Sequence, residues 1–547
     1  MACPMQNLPS PPLPQNADLA QGAKGLLRQD RRAVDIRGRP HGKRLGRYFH
    51  VEFSPRVSTS AICHAGGISR MVPRLDFASS PSPGSALMTQ ACTRTHATGL
   101  AWTCTMTETD FLSLAEQYWH GQVDLLETDH PVTGTYPGAQ ELAPGLLYFK
   151  GVAAISVIDT GAGLIMLDAG TRSDMDRVYE TVRKWRPHTP LVAAVFSQHH
   201  LDHIWATRRF DEEAAQQGWA APVVYAHTLL PQHLDRYRKT AGWIDAVKAR
   251  QFSRQLGPAK GPTDFRYPDV TFDRTLTLKM GDLTFELRHA RGETDDHVWV
   301  WVPERRWLFP GDLFIWAVPN AGNPQKVQRY CEEWATALRE MSGCQPEVMI
   351  CGHGMPIFGA ARVKEALLDT AEYLESIERQ TLALMNRGLP LDDVIHRVSP
   401  PAHLAGKPYL QPIYDHPQFL VRNVWRRYGG WWDGEPDNLL PAPRVQQARE
   451  WITLSGGVTR VLERVAELEA EGDLRMACHL VELTILAQPG SEAAHRVRAK
   501  IYAARAGNEA ATMTQGIFNH VARSSHERRR DLLIGEPPNA ASAKEMS

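Results

Sequence analysis

The chain has 547 residues, 43% of them hydrophobic and 22% charged, which is too long for one ordinary domain and typical of a globular protein. Formal net charge is zero, so the whole-chain balance excludes the basic signature of a nucleic-acid binder. No apolar run reaches the roughly 18–20 residues that span a bilayer, and no compact apolar stretch follows a basic N-terminus, so neither a transmembrane segment nor a secretory signal is expected.

The zero net charge hides an asymmetry. Residues 1–105 carry 13 Lys and Arg against 5 Asp and Glu, so the remainder is mildly acidic. This stretch opens with Pro-rich text, passes through Arg-rich and Ser/Pro-rich runs, and shows no sustained periodicity. It reads as a structureless leader, an organelle transit peptide, or translation from a start codon set too far upstream. The ordered protein is expected to begin near Met106, with a helix in TETDFLSLAEQYWHGQ capped by Thr107. The eight cysteines form no C-x-x-C pair, which fits reduced thiols in a cytoplasmic protein.

Strands and helices then alternate. LLYFKG, AAISVID and LIMLDAG are strand-like, the last ending at Asp168 and Gly170. SDMDRVYETVRKW reads as a helix capped by Ser173. LVAAVFSQ is an apolar strand that delivers SQHHLDH at its end, and PVVYAH is another strand. Residues 230–256 read as helical. TFDRTLTLKM and LTFELRHA alternate as a hairpin around Gly281. VWVWVP and RWLFPGDLF form a further pair, with Asp312 just past the second strand. A helix in RYCEEWATALREM precedes EVMICGHGMP, a last strand ending at His353. Such alternation predicts an α/β layered fold.

Beyond about residue 360 the character changes. Residues 360–390 are helical, and 398–441 are rich in Pro, Gly and aromatics. Residues 443–523 read as helical hairpins broken at Gly472-Asp473, Gly490-Ser491 and Gly507-Asn508, with Gly472 and Gly507 as C-caps.

The chemistry concentrates in Ser197-Gln198-His199-His200-Leu201-Asp202-His203. Three histidines and an aspartate on one turn repel when protonated and are costly to bury unless a metal compensates. The segment resembles the H-x-H-x-D-H motif of the metallo-β-lactamase superfamily, and its neighbours follow in that family's order. The resemblance implies an αββα sandwich with a metal centre. Asp202, His203 and His353 would hold one ion. His200, Glu293 and Gln198 would hold another, and Asp312 would bridge the two. Asp202 and Asp312 are the expected catalytic carboxylates. The cofactor expected is zinc, one or two ions, with iron or manganese also compatible with these donors. Metal-bound water becomes hydroxide near neutral pH and attacks an ester.

Gln198 stands where the family has His, and its amide oxygen is a neutral, weak ligand. Three arrangements follow: a binuclear centre ligated by Gln198, a mononuclear centre at the other site, or a shifted loop that uses His199. Glu293 and RRYGGWWDGEPDNLLP resemble the alkyl sulfatase branch, which carries an all-helical dimerisation domain. In that branch a His falls about where Phe419 stands, whereas His416 is offset by three. Many of its members also continue into a sterol-carrier-like domain beyond the point where this sequence stops.

The resemblance implies hydrolysis of a small-molecule sulfate ester by a homodimer. Arg422, Arg427 and Tyr428, with Arg426 beside them, are the candidate substrate contacts, since guanidinium forks well onto sulfate. A lactone, thioester or phosphodiester substrate, or a dimeric scaffold with a degraded site, are the competing readings. The expected organisation is a poorly structured segment at 1–105, a catalytic domain at 106–375, a connecting segment completing the site at 376–441, a helical domain at 442–525, and a loose tail at 526–547.

Overall fold

The structure is a computed structural model that describes residues 109–253 and 263–533. Residues 1–105 and the expected Thr107 cap lie outside the described residues. The first helix, α1 (Phe111–Trp119), starts later than expected. Its cap is Asp110, whose carboxylate accepts from the Leu112 and Ser113 amides and sits favourably at the positive helix end.

Two sheets follow, each keeping its strands in chain order. The first contains β1 (Gln140–Ala143), β2 (Leu146–Lys150), β3 (Ala154–Asp159), β4 (Leu164–Leu167), β5 (Leu191–Val195), β6 (Val223–His227) and β7 (Val270–Phe272). β1 to β4 run antiparallel, while β4 to β7 run parallel. Parallel neighbours need crossovers. These are α2 (Met175–Trp185), α3 (Thr207–Gln217), and the pair α4 (Leu230–Lys239) and α5 (Ala241–Gln251). The helix expected over 230–256 is therefore two, broken at Thr240, whose hydroxyl turns back to the Arg236 carbonyl. Ser173 does not cap α2. Thr171 and Asp174 form a capping box around the preceding turn instead.

The second sheet holds β8 (Thr275–Met280), β9 (Leu283–His289), β10 (Val298–Val302), β11 (Trp307–Ile315), β12 (Val348–His353) and β13 (Ile357–Phe358). Its one parallel pair, β11 and β12, is bridged by α6 (Cys331–Gly343), and α7 (Ala360–Met385) lies against α6. Asp312 is inside β11 rather than past it, where the register with β12 shifts around Gly311. Gly311 has φ +53, and a Cβ there would lie 2.6 Å from the His297 ring. Only glycine lets the strand bend there to aim Asp312.

Period-two alternation splits the side chains between layers. Leu146, Tyr148, Ile165 and Val195 face Leu287, Val300, Phe309 and Ile350 between the sheets. Phe149, Ile155, Met166 and Ala194 face outward under Val178, Val182, Phe210 and Leu234. The result is an αββα sandwich, as expected, with the motif loops at the C-terminal ends of its parallel strands.

The remaining helices are α8 (Leu391–Arg397), α9 (Pro417–Gly429), α10 (Arg444–Leu454), α11 (Val458–Ala470), α12 (Leu474–Ala487), α13 (Glu492–Gly507) and α14 (Thr512–His526). From α11 onward each packs on the next, around Val465, Leu468, Val481 and Ile501. Gly472 ends α11 with φ +82 as expected, but Gly507 is the last helical residue of α13 and Asn508 is its cap. No helix among the described residues is long and apolar enough to cross a membrane.

This helical part is docked onto the sandwich. Thr512 pairs with His130 at 2.6 Å, and Met513 is buried with Val132, Ile315 and Ile413. Gly516 approaches α5 so closely that a Cβ would lie 1.7 Å from the Gln251 carbonyl. Gly516→Val is expected to lower unfolding free energy by about 1–3 kcal/mol through overpacking. Chemical denaturation measures this, and an unchanged midpoint would contradict a close α5–α14 contact.

Candidate metal centre

The centre is built outward from Asp168. At the end of β4 this residue adopts φ +55, a left-handed backbone that aspartate tolerates better than most residues other than glycine. Its Oδ1 accepts the Ser197 amide at 2.8 Å. Its Oδ2 accepts the Ser197 hydroxyl and His203 Nδ1, each at 2.9 Å. The Ala169 amide adds a bond to the His203 carbonyl at 2.8 Å. One buried carboxylate thus shapes the whole 197–203 turn. Sequence reading took Asp168 only as a turn residue.

A carboxylate can only accept, so His203 carries its proton on Nδ1 and points the Nε2 lone pair inward. His353, at the end of β12, is fixed the same way: Nδ1 donates to the carbonyls of Val152 at 2.8 Å and Val132 at 3.1 Å. Both inward nitrogens meet carboxylate oxygens. His203 Nε2 lies 3.3 Å from Asp312 and 3.8 Å from Asp202, and His353 Nε2 lies 3.3 Å from Asp312 and 3.5 Å from Asp202. Lone pairs facing oxyanions repel unless a cation stands between them. Burial disfavours charge on His203, yet Asp312, Asp168 and Asp202 overcome it and hold the imidazole well above its usual range. His353 is raised despite burial, chiefly by Asp312. Asp312 in turn is held well below the usual carboxylate range, against its burial, by His353 and His203. Locked outer nitrogens, converging inner donors and a demand for positive charge fit a divalent ion.

The other half differs. His200, Glu293 and Asp312 converge there, with His200 Nδ1 3.7 Å from Glu293. Gln198 enters between the carboxylates and is completely buried. Its Nε2 donates to Asp312 at 2.7 Å and to Glu293 at 3.2 Å. Glu293 Oε1 is taken by Arg329 at 2.6 Å and by Asn320 Nδ2. Burial pushes Glu293 up to about 7, with Arg329 opposing and Asp312 adding to the shift. His200 is held well below its usual value by burial and by His199, Lys326 and Arg329 around it. This half is already rich in positive and N–H donors.

His199 faces away from both halves. Its Nδ1 donates to Asp296 at 2.9 Å, and Arg236 donates to its Nε2 at 3.0 Å. The arrangement in which a shifted loop uses His199 is therefore contradicted: neither ring nitrogen is free. His199 also groups with His233 and Asp296, but His233 is paired to Asp295 at 2.6 Å and Arg236 repels a cation there.

The substrate contacts expected on α9 are not brought to the centre. Arg427 forks onto both oxygens of Glu333 at 2.6 Å, Tyr428 donates to Glu378 at 2.6 Å, and Arg422 is exposed. Arg426 is directed to Gln328 and Asn423. The helix contributes differently. Asn423 clamps the backbone of Arg329, donating to its carbonyl at 2.9 Å and accepting its amide at 3.3 Å. Asp415 anchors the same loop by accepting the Gly322 amide at 2.7 Å. The cations facing the centre lie on that loop, 320–329, which sequence reading missed. Its polar Asn-Pro-Gln-Lys text directly after a ligand-bearing strand was the available signal. Lys326 is half-buried, and burial with Arg329 and Lys248 nearby pushes its ammonium down to about 8. Asn323 Nδ2 and Arg329 Nε are buried donors without a protein acceptor.

Residues 149–353 match the family model of the metallo-β-lactamase superfamily. Residues 391–528 match that of alkyl sulfatase dimerisation. A linear primary-alkylsulfatase of Pseudomonas sp. is 27% identical over 63% of this chain and 69% of its own length. An (R)-specific secondary-alkylsulfatase of Pseudomonas sp. is 26% identical over 66% of this chain. An alkyl/aryl-sulfatase of Saccharomyces cerevisiae is 24% identical over 63% of it. The chain spans 58% and 57% of the lengths of these last two. The solved structure of a stereoselective inverting sec-alkylsulfatase from Pseudomonas sp. superposes with a TM-score of 0.64 at 23% identity, covering 75% of this chain and 67% of that one. Residues 149–353 thus form a domain of the metallo-β-lactamase type, a fold that implies a divalent metal. Residues 391–528 match the alkyl sulfatase dimerisation domain, and the curated relatives the chain resembles are alkylsulfatases.

Asp168→Asn keeps the shape but removes the carboxylate that fixes the His203 tautomer. Metal affinity is expected to fall by about 10–100-fold, as for other outer partners of metal-ligating histidines. Chelator competition measures it, and an unchanged affinity would contradict the orienting role of Asp168.

Proposed function

We propose that this chain is a metal-dependent hydrolase of sulfate esters. The observation that carries the reading is the adjacency of two features. One is the cation-demanding pocket of Asp202, His203, His353 and Asp312. The other is the Lys326–Arg329 loop beside it. Zinc is the proposed ion, since these mixed nitrogen and oxygen donors suit it, and iron or manganese are the outcomes to compare by metal analysis. When bound, such an ion supplies Lewis acidity and lowers the pKa of water.

The protein residues do the rest. Asp202, with a side chain 27% exposed, is the accessible carboxylate of the pocket and takes the role of accepting a proton from the attacking water. Asp312, nearly buried, holds both histidines in place. The Lys326 ammonium, the free Nε of Arg329 and Asn323 Nδ2 are the donors available to sulfate oxygens. Residues 106–375 would act as the catalytic unit, with α9 in the 376–441 segment holding the anion-binding loop. The helical part of 442–525 would serve a homodimer. Trp431, Leu440, Trp451 and Leu454 are exposed around α10, an apolar surface suited to a second copy.

Medium-chain alkyl sulfates are the test substrates, beside lactones, thioesters and phosphodiesters. Asp202→Asn is expected to lower kcat on the sulfate by about 10²–10⁴-fold. Turnover unaffected by this change, or preference for another ester class, would refute the proposal, and a metal-free inert protein would favour a scaffold.

Lys326 is charged below about 8 and neutral above. KM for an anionic ester is therefore expected to rise as pH passes upward through about 8, while Lys326→Arg keeps KM flat there. Identical KM profiles would exclude Lys326 from anion binding. For the assembly, Leu440→Glu with Leu454→Glu is expected to convert a dimer to a monomer in light scattering. A dimer that persists would place the interface elsewhere.

A further inference from the structure

We propose that this chain works with a single metal ion, because Gln198 and Arg329 together occupy the place and supply the charge of a second. The inference rests on the metal-hydrolase reading above and specifies its centre.

The fit of each half to an ion is opposite. In the Asp202–His203–His353 half, the histidine protons are locked outside and the donor atoms converge on one another. In the His200–Glu293 half, every carboxylate oxygen that would bind an ion already has protein donors. An amide NH₂ carries two protons, and Gln198 spends one on Asp312 Oδ2 at 2.7 Å and one on Glu293 Oε2 at 3.2 Å. It bridges the two carboxylates as a shared ion would. The other Glu293 oxygen receives Arg329 at 2.6 Å and Asn320.

Charge leads the same way. Arg329 is 2% exposed, and Glu293 is its only ion-pair partner among the described residues. An ion bound to Glu293 would compete for that carboxylate and leave a buried guanidinium without its counter-charge. Turning the Gln198 amide to offer oxygen would remove both of its hydrogen bonds and bring a neutral, weak ligand in return. Asn423 holds the Arg329 backbone from both sides, so the guanidinium cannot withdraw with its loop. The pairing also explains why Glu293 persists beside Gln198: its partner is Arg329.

The test counts ions on the full chain, independently of turnover. The metal-stripped protein is titrated with Mn(II) and Co(II), followed by metal analysis after desalting and by EPR. One tightly held equivalent is expected, with the EPR signal of an isolated Mn(II) ion. Gln198→His with Arg329→Met, which restores an imidazole and removes the competing charge, is expected to take up a second equivalent with spin coupling between the two ions. Two equivalents of similar affinity in the unaltered protein would overturn this inference and leave the hydrolase reading intact. No bound ion at all would overturn both. One ion without sulfate-ester turnover would overturn the hydrolase reading alone. If the double variant does not fold, the unaltered protein's stoichiometry still decides.

Discussion

The Asp168 carboxylate is the interaction on which the centre depends. It receives two donors from Ser197 and one from His203, so the end of β4 and the turn after β5 form one rigid piece. Hydrogen bonds to a charged group contribute about 1.5–3 kcal/mol each, enough to hold Asp168 in its left-handed backbone. The direction of the His203 proton follows from this carboxylate, and the lone pair facing Asp312 follows from the proton. His353 reaches the same state from carbonyl acceptors. The pocket is thus prepared from outside, by groups that touch no substrate.

Asp312 divides its two oxygens between unlike neighbours. One faces His353, while the other is shared by His203 and Gln198. The histidine side is short of positive charge and the Gln198–Arg329 side is supplied with it. The two halves thus differ in charge although each keeps its acidic residues. The asymmetry also sets the character of the opening. The carboxylate most accessible to solvent, Asp202, belongs to the histidine half, and Arg329 of the cationic loop pairs with Glu293 in the other.

Much of this was legible in the chain. Period-two patterning and the 198–203 cluster pointed to strands that end in metal-binding turns, and Gln198, His200, Asp202, His203, Glu293, Asp312 and His353 do meet in space. What failed was local. Thr107 and Ser173 suit helix starts, but so do Asp110 and Thr171, and tertiary contacts choose among such neighbours. The arginines of α9 were misassigned for a related reason. Arg427 and Tyr428 sit in an aromatic motif that looks functional, yet a helix face cannot be oriented from sequence alone, and Glu333 and Glu378 claim those side chains. Arg329 escaped notice because its value lies in one long-range pairing with Glu293, which no spacing rule anticipates.

The docking of α14 has a consequence for the order of folding. The Val132 carbonyl that helps fix His353 lies in a cluster with Met513, and Thr512 bonds His130 across 382 positions of chain. Contacts of such separation form late, because a long loop must close before they are rewarded. The Val132 arm of the His353 clamp settles only once the last helices arrive. A chain interrupted before α14 would lack the Met513 and Thr512 contacts that back the Val132 segment behind His353.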